Sequence, residues 1–210
     1  PAGRYHLVVR STAFGDSPLD SIFAPLVQLS DPGRYRLGIG RARLGQQVAD
    51  PSLSLRSDGT RPFARDSRPF ASDGSATRRW AIVESGKLSG LALDNHFGAL
   101  LGRESNGGVG NLELVMAREP MASLIAPDEL PVLVIDAAAW RRADPATGAL
   151  TMAIRAGRVV RSDGATTDVR GGVASTGSEL FDRARGSLED AISSWFAGPA
   201  AIHLGVVSVV

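Results

Sequence analysis

The chain contains no cysteine, which excludes disulfide frameworks and thiolate metal sites. Lysine is nearly absent: Lys87 stands alone among 23 basic residues, and arginine supplies the rest. Histidine occurs three times, at His6, His96 and His203. None lies in the one-turn spacing that lets two helix-borne histidines face one zinc ion. No run reaches the roughly 18 apolar residues of a membrane span, and the opening residues lack the charged-then-apolar pattern of a secretory leader. The expected setting is therefore cytoplasmic, and a start at Pro1 suits a chain whose initiator methionine was removed and equally a chain that has been trimmed.

What remains is an ordinary folding composition. The 210 residues are 43% hydrophobic and 21% charged, with a net charge of +1, which argues for a packed core rather than disorder. Glycine and proline, 24 and 12 residues, punctuate short apolar runs in the manner of a strand-rich chain with many turns. The expected fold is α+β, with strand-rich mixed and antiparallel sheets and a few helices. One domain over residues 1–210 is expected, any subdivision falling near 120–130. Arg61, Arg65, Arg68, Arg78 and Arg79 form the densest basic cluster, but Asp58, Asp66 and Asp73 interrupt it. That interleaving argues against a nucleic-acid surface.

Along the chain, Tyr5 to Arg10 reads as a buried strand. Pro18 to Leu29 reads as a short helix in which Pro25 forces either a late start or two fragments. Gly38 to Gly45 suggests a turn before a strand at Leu53-Ser54-Leu55. Arg56 to Ser75 should be a long loop, with Phe63 and Phe70 expected to pin it by burying into the core, or else to meet a partner. Trp80 to Val83 and Leu88 to Leu93 flank Glu84-Ser85-Gly86 as a hairpin, and a short helix should follow near Asp94. Asn111 to Met116 and Val132 to Ile135 read as strands, with a short helix starting near Ser123 between them. Leu150 to Ile154 and Arg158 to Arg161 are expected to turn back at Ala156-Gly157. Ser178 to Phe196 carries apolar residues at Leu180, Phe181, Ala184, Leu188, Ile192 and Trp195 or Phe196, a spacing that predicts a helix. His203 to Val210 closes the chain as a strand.

Several segments together carry a resemblance. They are Asp73-Gly74-Ser75-Ala76-Thr77-Arg78, Val83-Glu84-Ser85-Gly86, Asp94-Asn95-His96-Phe97-Gly98 and Ser105-Asn106-Gly107. Asp144-Pro145-Ala146-Thr147-Gly148 with the strand after it, and the opening Gly3-Arg4-Tyr5-His6-Leu7-Val8-Val9, add to them. In order and spacing they resemble the C-terminal half of the TldD/TldE (PmbA, modulator of gyrase) metallopeptidase family. Where a TldD-like chain has a helix with His-Glu-x-x-x-His, this sequence reads Ser17-Pro18-Leu19-Asp20-Ser21-Ile22-Phe23-Ala24-Pro25-Leu26-Val27, without histidine or glutamate. The family's near-terminal Gly-Asn pair is also missing around Val173 to Gly177, and family chains are about twice as long, with a further N-terminal domain. The resemblance therefore implies a TldE-like, metal-free subunit lacking that domain, with no cofactor of its own.

That resemblance implies a heteromeric zinc amide hydrolase. A TldD-like homologue would carry the zinc and the general base, and this chain would shape the cavity. Phe70, Asp73, Arg78, His96, Ser105 and Asn106 are the candidate cavity or partner-interface residues. The substrate would be a peptide or, in a natural-product pathway, a small-molecule amide. The alternative is a non-enzymatic scaffold or binding protein that kept only the fold. No catalytic residue is assigned, because Ser105 and Thr147 have no identified base and an unassisted hydroxyl is a poor nucleophile. The Gly-rich stretch Ser105 to Gly110 leads into a strand and lacks a Walker lysine, so it reads as a turn or a cavity wall rather than a phosphate cradle.

Overall fold

The computed structural model describes residues 3–39, 43–127, 129–140, 144, 149–176 and 179–209. The chain runs β1 (Gly3–Arg10), a 3-10 turn (Ser11–Ala13), the small hairpin β2 (Gly15–Ser17) and β3 (Asp20–Ser21), then α1 (Ala24–Leu29) and α2 (Pro32–Leu37). It continues with β4 (Ser54–Asp58), β5 (Arg79–Glu84), β6 (Lys87–Leu88), α3 (Asn95–Leu101), β7 (Asn111–Val115), β8 (Arg118–Glu119) and α4 (Met121–Leu124). The remaining elements are β9 (Val132–Trp140), β10 (Ala149–Val160), β11 (Thr166–Thr176), a 3-10 turn (Glu179–Phe181), β12 (Arg185–Ser187), β13 (Asp190–Ile192), β14 (Phe196–Pro199) and β15 (Ala201–Val209). The expected strand-rich α+β class is what forms.

Two sheets dominate. The first is seven-stranded in the order β1-β9-β10-β11-β15-β12-β8, and a further pairing of β1 with β15 closes its first five strands into a ring. The second is six-stranded, β13-β14-β7-β4-β5-β6. Both are mixed: β1 runs parallel to β9, β12 to β8 and β14 to β7, and the other ladders are antiparallel. Alternation explains the main core. Tyr5, Leu7 and Val9 of β1, Leu133 and Ile135 of β9, and Leu204 and Val207 of β15 turn inward, as period-2 strands with one buried face must. The same cluster takes in Leu55, Ile82, Leu112 and Leu114 from the second sheet. Phe23 stacks on Phe196 at 5.2 Å, and Phe14 meets Phe196 edge-on at 5.0 Å. No helix among the described residues is long and apolar enough to cross a membrane.

Local signals account for the small helices. Pro25 sits in the first turn of α1, where its missing N–H costs nothing, so the helix starts late. The helix α2 was not expected, although its signals are present. The Asp31 carboxylate accepts from Arg34 N at 3.0 Å, Pro32 opens the helix, and Gly38 ends it in the left-handed region. Residues 40–42 of the expected Gly38 to Gly45 turn lie outside the described residues. The helix α4 starts at Met121, slightly earlier than expected. The hairpin at Glu84-Ser85-Gly86 forms at the expected turn, with Ser85 and Gly86 both at positive φ, 50° and 75°, the geometry of a two-residue turn whose twist matches its strands. Its second arm, however, is only Lys87–Leu88 and does not run on to Leu93.

Three expectations fail. The segment expected to be helical to Phe196 is a short 3-10 turn followed by β12, β13 and β14; residues 177–178 lie outside the described residues. Leu188 and Ile192, two members of its apolar stripe, are 58% and 82% exposed. Gly186 is the physical reason at one end, because a Cβ there would meet the Pro199 ring at 2.7 Å. At the other, Ser193 Oγ accepts from Phe196 N at 3.1 Å and turns the chain. Second, β10 does not reverse at Ala156-Gly157: it runs through with bulges against both neighbours. A Cβ on Gly157 would lie 2.8 Å from Val134 O, so this glycine serves close strand approach. The reversal comes at Arg161 to Ala165, where Gly164 has φ 79°. Third, Phe63 and Phe70 are not core anchors, being 106% and 61% exposed.

Candidate functional site

The loop between β4 and β5 is ordered by polar contacts rather than by its aromatics. Arg65 N donates to Ser194 O at 2.7 Å, Arg68 N to Gly59 O at 3.0 Å and Thr77 N to Pro69 O at 3.1 Å. Asn111, fully buried in β7, clamps the loop from beneath. Its amide nitrogen donates to Asp58 O at 2.9 Å and Ser67 Oγ at 3.0 Å, and its amide oxygen accepts from Asp66 N at 3.0 Å. Beyond this clamp a tight finger forms. Phe70 bridges Ala76, Ala71 N donates to Ser75 O at 2.8 Å, and Gly74 turns the tip. Phe70 is thereby held on a rigid support while its ring remains largely in solvent.

Asp73 joins that finger to α3. One carboxylate oxygen accepts from the Ser75 hydroxyl at 2.6 Å and from Ser75 N at 3.1 Å. The other accepts from Asn95 N at 2.6 Å, while Asp73 O accepts from the Asn95 amide at 3.0 Å. The Ser75 hydroxyl, followed by the Asn95 and Ser75 amide N–H groups, holds the exposed carboxyl at a pKa of about 2, the expected response of an acid whose charged form takes the hydrogen bonds. Asp94 caps α3 by accepting from Phe97 N at 2.7 Å. Ser105 Oγ completes the network by donating to Asn95 Oδ1 at 3.0 Å. An amide oxygen is no base, so this hydroxyl is positioned but not activated.

The six residues singled out from the sequence fall into different roles. Asp73 and Ser105 are brought together through Asn95. Asn106 lies next to them, but its side chain is committed to the fold: it accepts from Leu93 N at 3.0 Å and Gly108 N at 3.1 Å and donates to Leu91 O at 2.8 Å. Arg78 donates its backbone N–H to Asn106 O at 3.2 Å and pairs at the surface with Glu104. His96 is exposed on α3, its ring 5.2 Å from that of Phe97. Phe70 stands on the neighbouring finger. Sequence reasoning missed Asn95 and Asn111. Asn95 carried a faint signal, since it follows the helix cap Asp94, whereas Asn111 read only as a strand residue. Residues 145–148 of the segment beginning at Asp144 lie outside the described residues.

Comparison with known proteins identifies the scaffold. The profile of the PmbA/TldA metallopeptidase C-terminal domain matches residues 3–196. The chain belongs to this family. No curated protein matches its sequence. A solved structure from Thermotoga maritima described as a modulator of a DNA gyrase superposes with a TM-score of 0.81 at 20% identity, over 100% of this chain and 50% of that one. A Bacteroides thetaiotaomicron protein described in the same way gives 0.76 at 19% identity, covering 99% of this chain and 47% of the other. TldE from Thermococcus kodakarensis gives 0.76 at 16% identity, covering 99% and 50%. At these identities the likeness is one of fold, and the chain spans about half the length of each solved relative.

The family's description implies a metal, and the donors among the described residues are not arranged to fit one. His6 and His203 approach on neighbouring strands, with ring centroids 5.3 Å apart, while His96 lies in another part of the fold. Among the described residues no group of three or more histidine, aspartate or glutamate side chains gathers in a way that could hold an ion. The segment Ile22 to Val27 is apolar and packed, with Ile22, Phe23, Ala24, Leu26 and Val27 buried.

Proposed function

We propose that this member of the family acts as the metal-free, TldE-like partner of a zinc-bearing homologue. The observation that carries the reading is the rigid finger at residues 69–77, pinned to α3 through Asp73 and Asn95, which presents Phe70 to solvent. Isolated surface aromatics are ordinary, but an exposed one on a support hydrogen-bonded at both sides is pre-organised for contact, and aromatics dominate interface energetics. Family membership supplies the class of chemistry, amide hydrolysis by a metallopeptidase. The buried apolar segment at Ile22 to Val27, in place of a histidine-bearing helix, supports assigning the metal and general base to the other chain. In this reading Asp73, Asn95 and Ser105 form a polar wall, while Phe70, Arg78 and His96 lie along the partner-facing rim. The substrate is a peptide or a small-molecule amide, and the compartment is the cytoplasm.

Co-expression with a homologue carrying His-Glu-x-x-x-His, followed by size-exclusion chromatography and zinc analysis of the shared peak, tests the assignment. The expected result is a stoichiometric, zinc-containing complex whose amide hydrolysis requires both chains. Elution of this chain alone overturns it and favours a scaffold that retains only the fold, as does unaided hydrolysis by the isolated chain.

A further inference from the structure

Away from the finger and α3, the outer face of the closed strand ring carries an unexplained group of charges. Val9, Ile135 and Val159 point into the core or its edge. Alternation therefore turns their neighbours Arg10, Asp136 and Arg158 to the opposite face. Asp136 is shared by two guanidiniums, Arg10 at 3.2 Å on one oxygen and Arg158 at 3.2 Å on the other. Beside them the bulge in β10 opens a concavity of about 410 Å³, lined by Asp136, Arg155, Arg158, Asp168 and Arg170 among others. Arg155 lies within the bulge and Arg170 on the β11 stretch facing it. Both are exposed, and among the described residues neither has a carboxylate within ion-pair distance.

We propose that this concavity binds a small oxyanion ligand, one bearing carboxylate or phosphate groups. Its volume lies in the range of small-molecule sites, about 300–1,000 Å³. Four guanidiniums, counting Arg10 at its edge, face two carboxylates, leaving two positive charges in excess; Arg10 and Arg158 share Asp136, whereas Arg155 and Arg170 have no ion-pair partner among the described residues. A guanidinium matches a carboxylate or phosphate through two parallel N–H donors, which a lysine cannot reproduce. The bulge supplies the geometry. It splays β10 between the pair at Ile154 and the pair at Gly157, placing one free arginine on each side of the opening. Asp136 fixes Arg158 at the base and partly neutralises it, so the free pair at the rim is left to hold the ligand. This site is separate from the finger and does not depend on the partner reading above.

Isothermal titration of the purified chain with pyrophosphate and with citrate tests the proposal, whichever of the two binds more tightly naming phosphate or carboxylate as the source. Saturable binding to the parent is expected, weakened by at least about tenfold in Arg155→Ala and in Arg170→Ala, the cost expected when a bidentate charged contact is lost. Arg170→Lys, which keeps the charge and the strand, is expected to weaken binding severalfold as well. Arg103→Ala, which removes an exposed arginine elsewhere, is expected to leave it unchanged. The proposal is overturned if neither probe binds saturably, if the lysine variant binds like the parent, or if Arg103→Ala weakens binding as much as the site variants. Unchanged circular dichroism spectra keep a loss of binding distinct from a loss of fold.

Discussion

Asp50 ties three segments together through one residue. Its backbone N–H donates to Phe181 O at 2.7 Å, one carboxylate oxygen accepts from Ser52 N and Oγ at 2.9 and 2.7 Å, and the other accepts from Arg185 at 2.6 Å. Burial opposes its ionisation, but the hydrogen bonds from Arg185 and Ser52 outweigh that and hold the carboxyl below its ordinary 3.8. A depressed folded-state pKa means that the unfolded chain takes up the proton first. Its stabilisation is therefore complete above the unfolded value and is lost as pH falls through the folded one. Asp50→Asn should cost about 1–3 kcal/mol near neutrality, the range for hydrogen bonds to charged groups, and should flatten the loss of urea stability below pH 4 (about the carboxylate reference value). An acid limb identical to the parent's would remove Asp50 from that account. Gly86 is a harder constraint. With φ at +75°, a Cβ there would stand 2.0 Å from Gln47 Nε2 and 2.5 Å from Ala49 O. Gly86→Ala is expected to destabilise by more than about 2 kcal/mol, combining backbone strain with a backbone clash, as read from the urea midpoint.

Elements fixed by signals within a few residues were legible in the sequence. The Ser85-Gly86 hairpin and the helix capped by Asp94 both stand where turn and cap chemistry put them, and β9 and β15 follow their apolar runs. The segment after residue 178 was not legible, because its i, i+3, i+4 apolar spacing is assembled from separate turns and strands. Gly186, Ser193 and Ser194 were the contrary signals, and periodicity outweighed them. This reading can be tested by substitution. A helix would bury Leu180, Leu188 and Ile192 together, whereas here Leu180 is 1% exposed and the other two face solvent. Leu180→Ala should cost about 2–5 kcal/mol, the usual range for a core leucine. Leu188→Ser and Ile192→Ser should each stay within about 0.5 kcal/mol of the parent. Comparable losses at all three positions in chemical denaturation would restore the helix. At β10 the sequence carries two competing turn signals, Ala156-Gly157 and Asp163-Gly164, and the second, a strong hairpin signal, is where the chain reverses. A glycine that permits strand approach and one that permits a reversal look alike until the neighbouring carbonyl, Val134 O, is in place. The candidate site shows the same limit. Its residues cluster in sequence, but Asn111, which holds the loop 44 positions away at Ser67, could not be recognised without the register of β4 against β7.

Across the whole molecule, the two sheets and their common core leave the finger at residues 69–77 as a projection anchored at both sides, and this separates stability from association. The Phe70 ring buries little against its own chain, so Phe70→Ala should leave the urea midpoint of the isolated protein within about 0.5 kcal/mol of the parent. If the finger meets a zinc-bearing homologue, the same change should weaken the complex by about 1–3 kcal/mol, mostly through faster dissociation. Arg78 differs, because it already pairs with Glu104 at the surface, and exposed pairs contribute little to folding. Arg78→Glu would set two like charges together at that point, so its effect on the complex should be largest at low salt and fade as ionic strength rises. Phe70→Ala should show no such salt dependence. Surface plasmon resonance of both variants against the partner, at two salt concentrations, separates the contributions. Parent-like affinity for both would return the finger to a purely structural role and leave the scaffold reading as the better account of the chain.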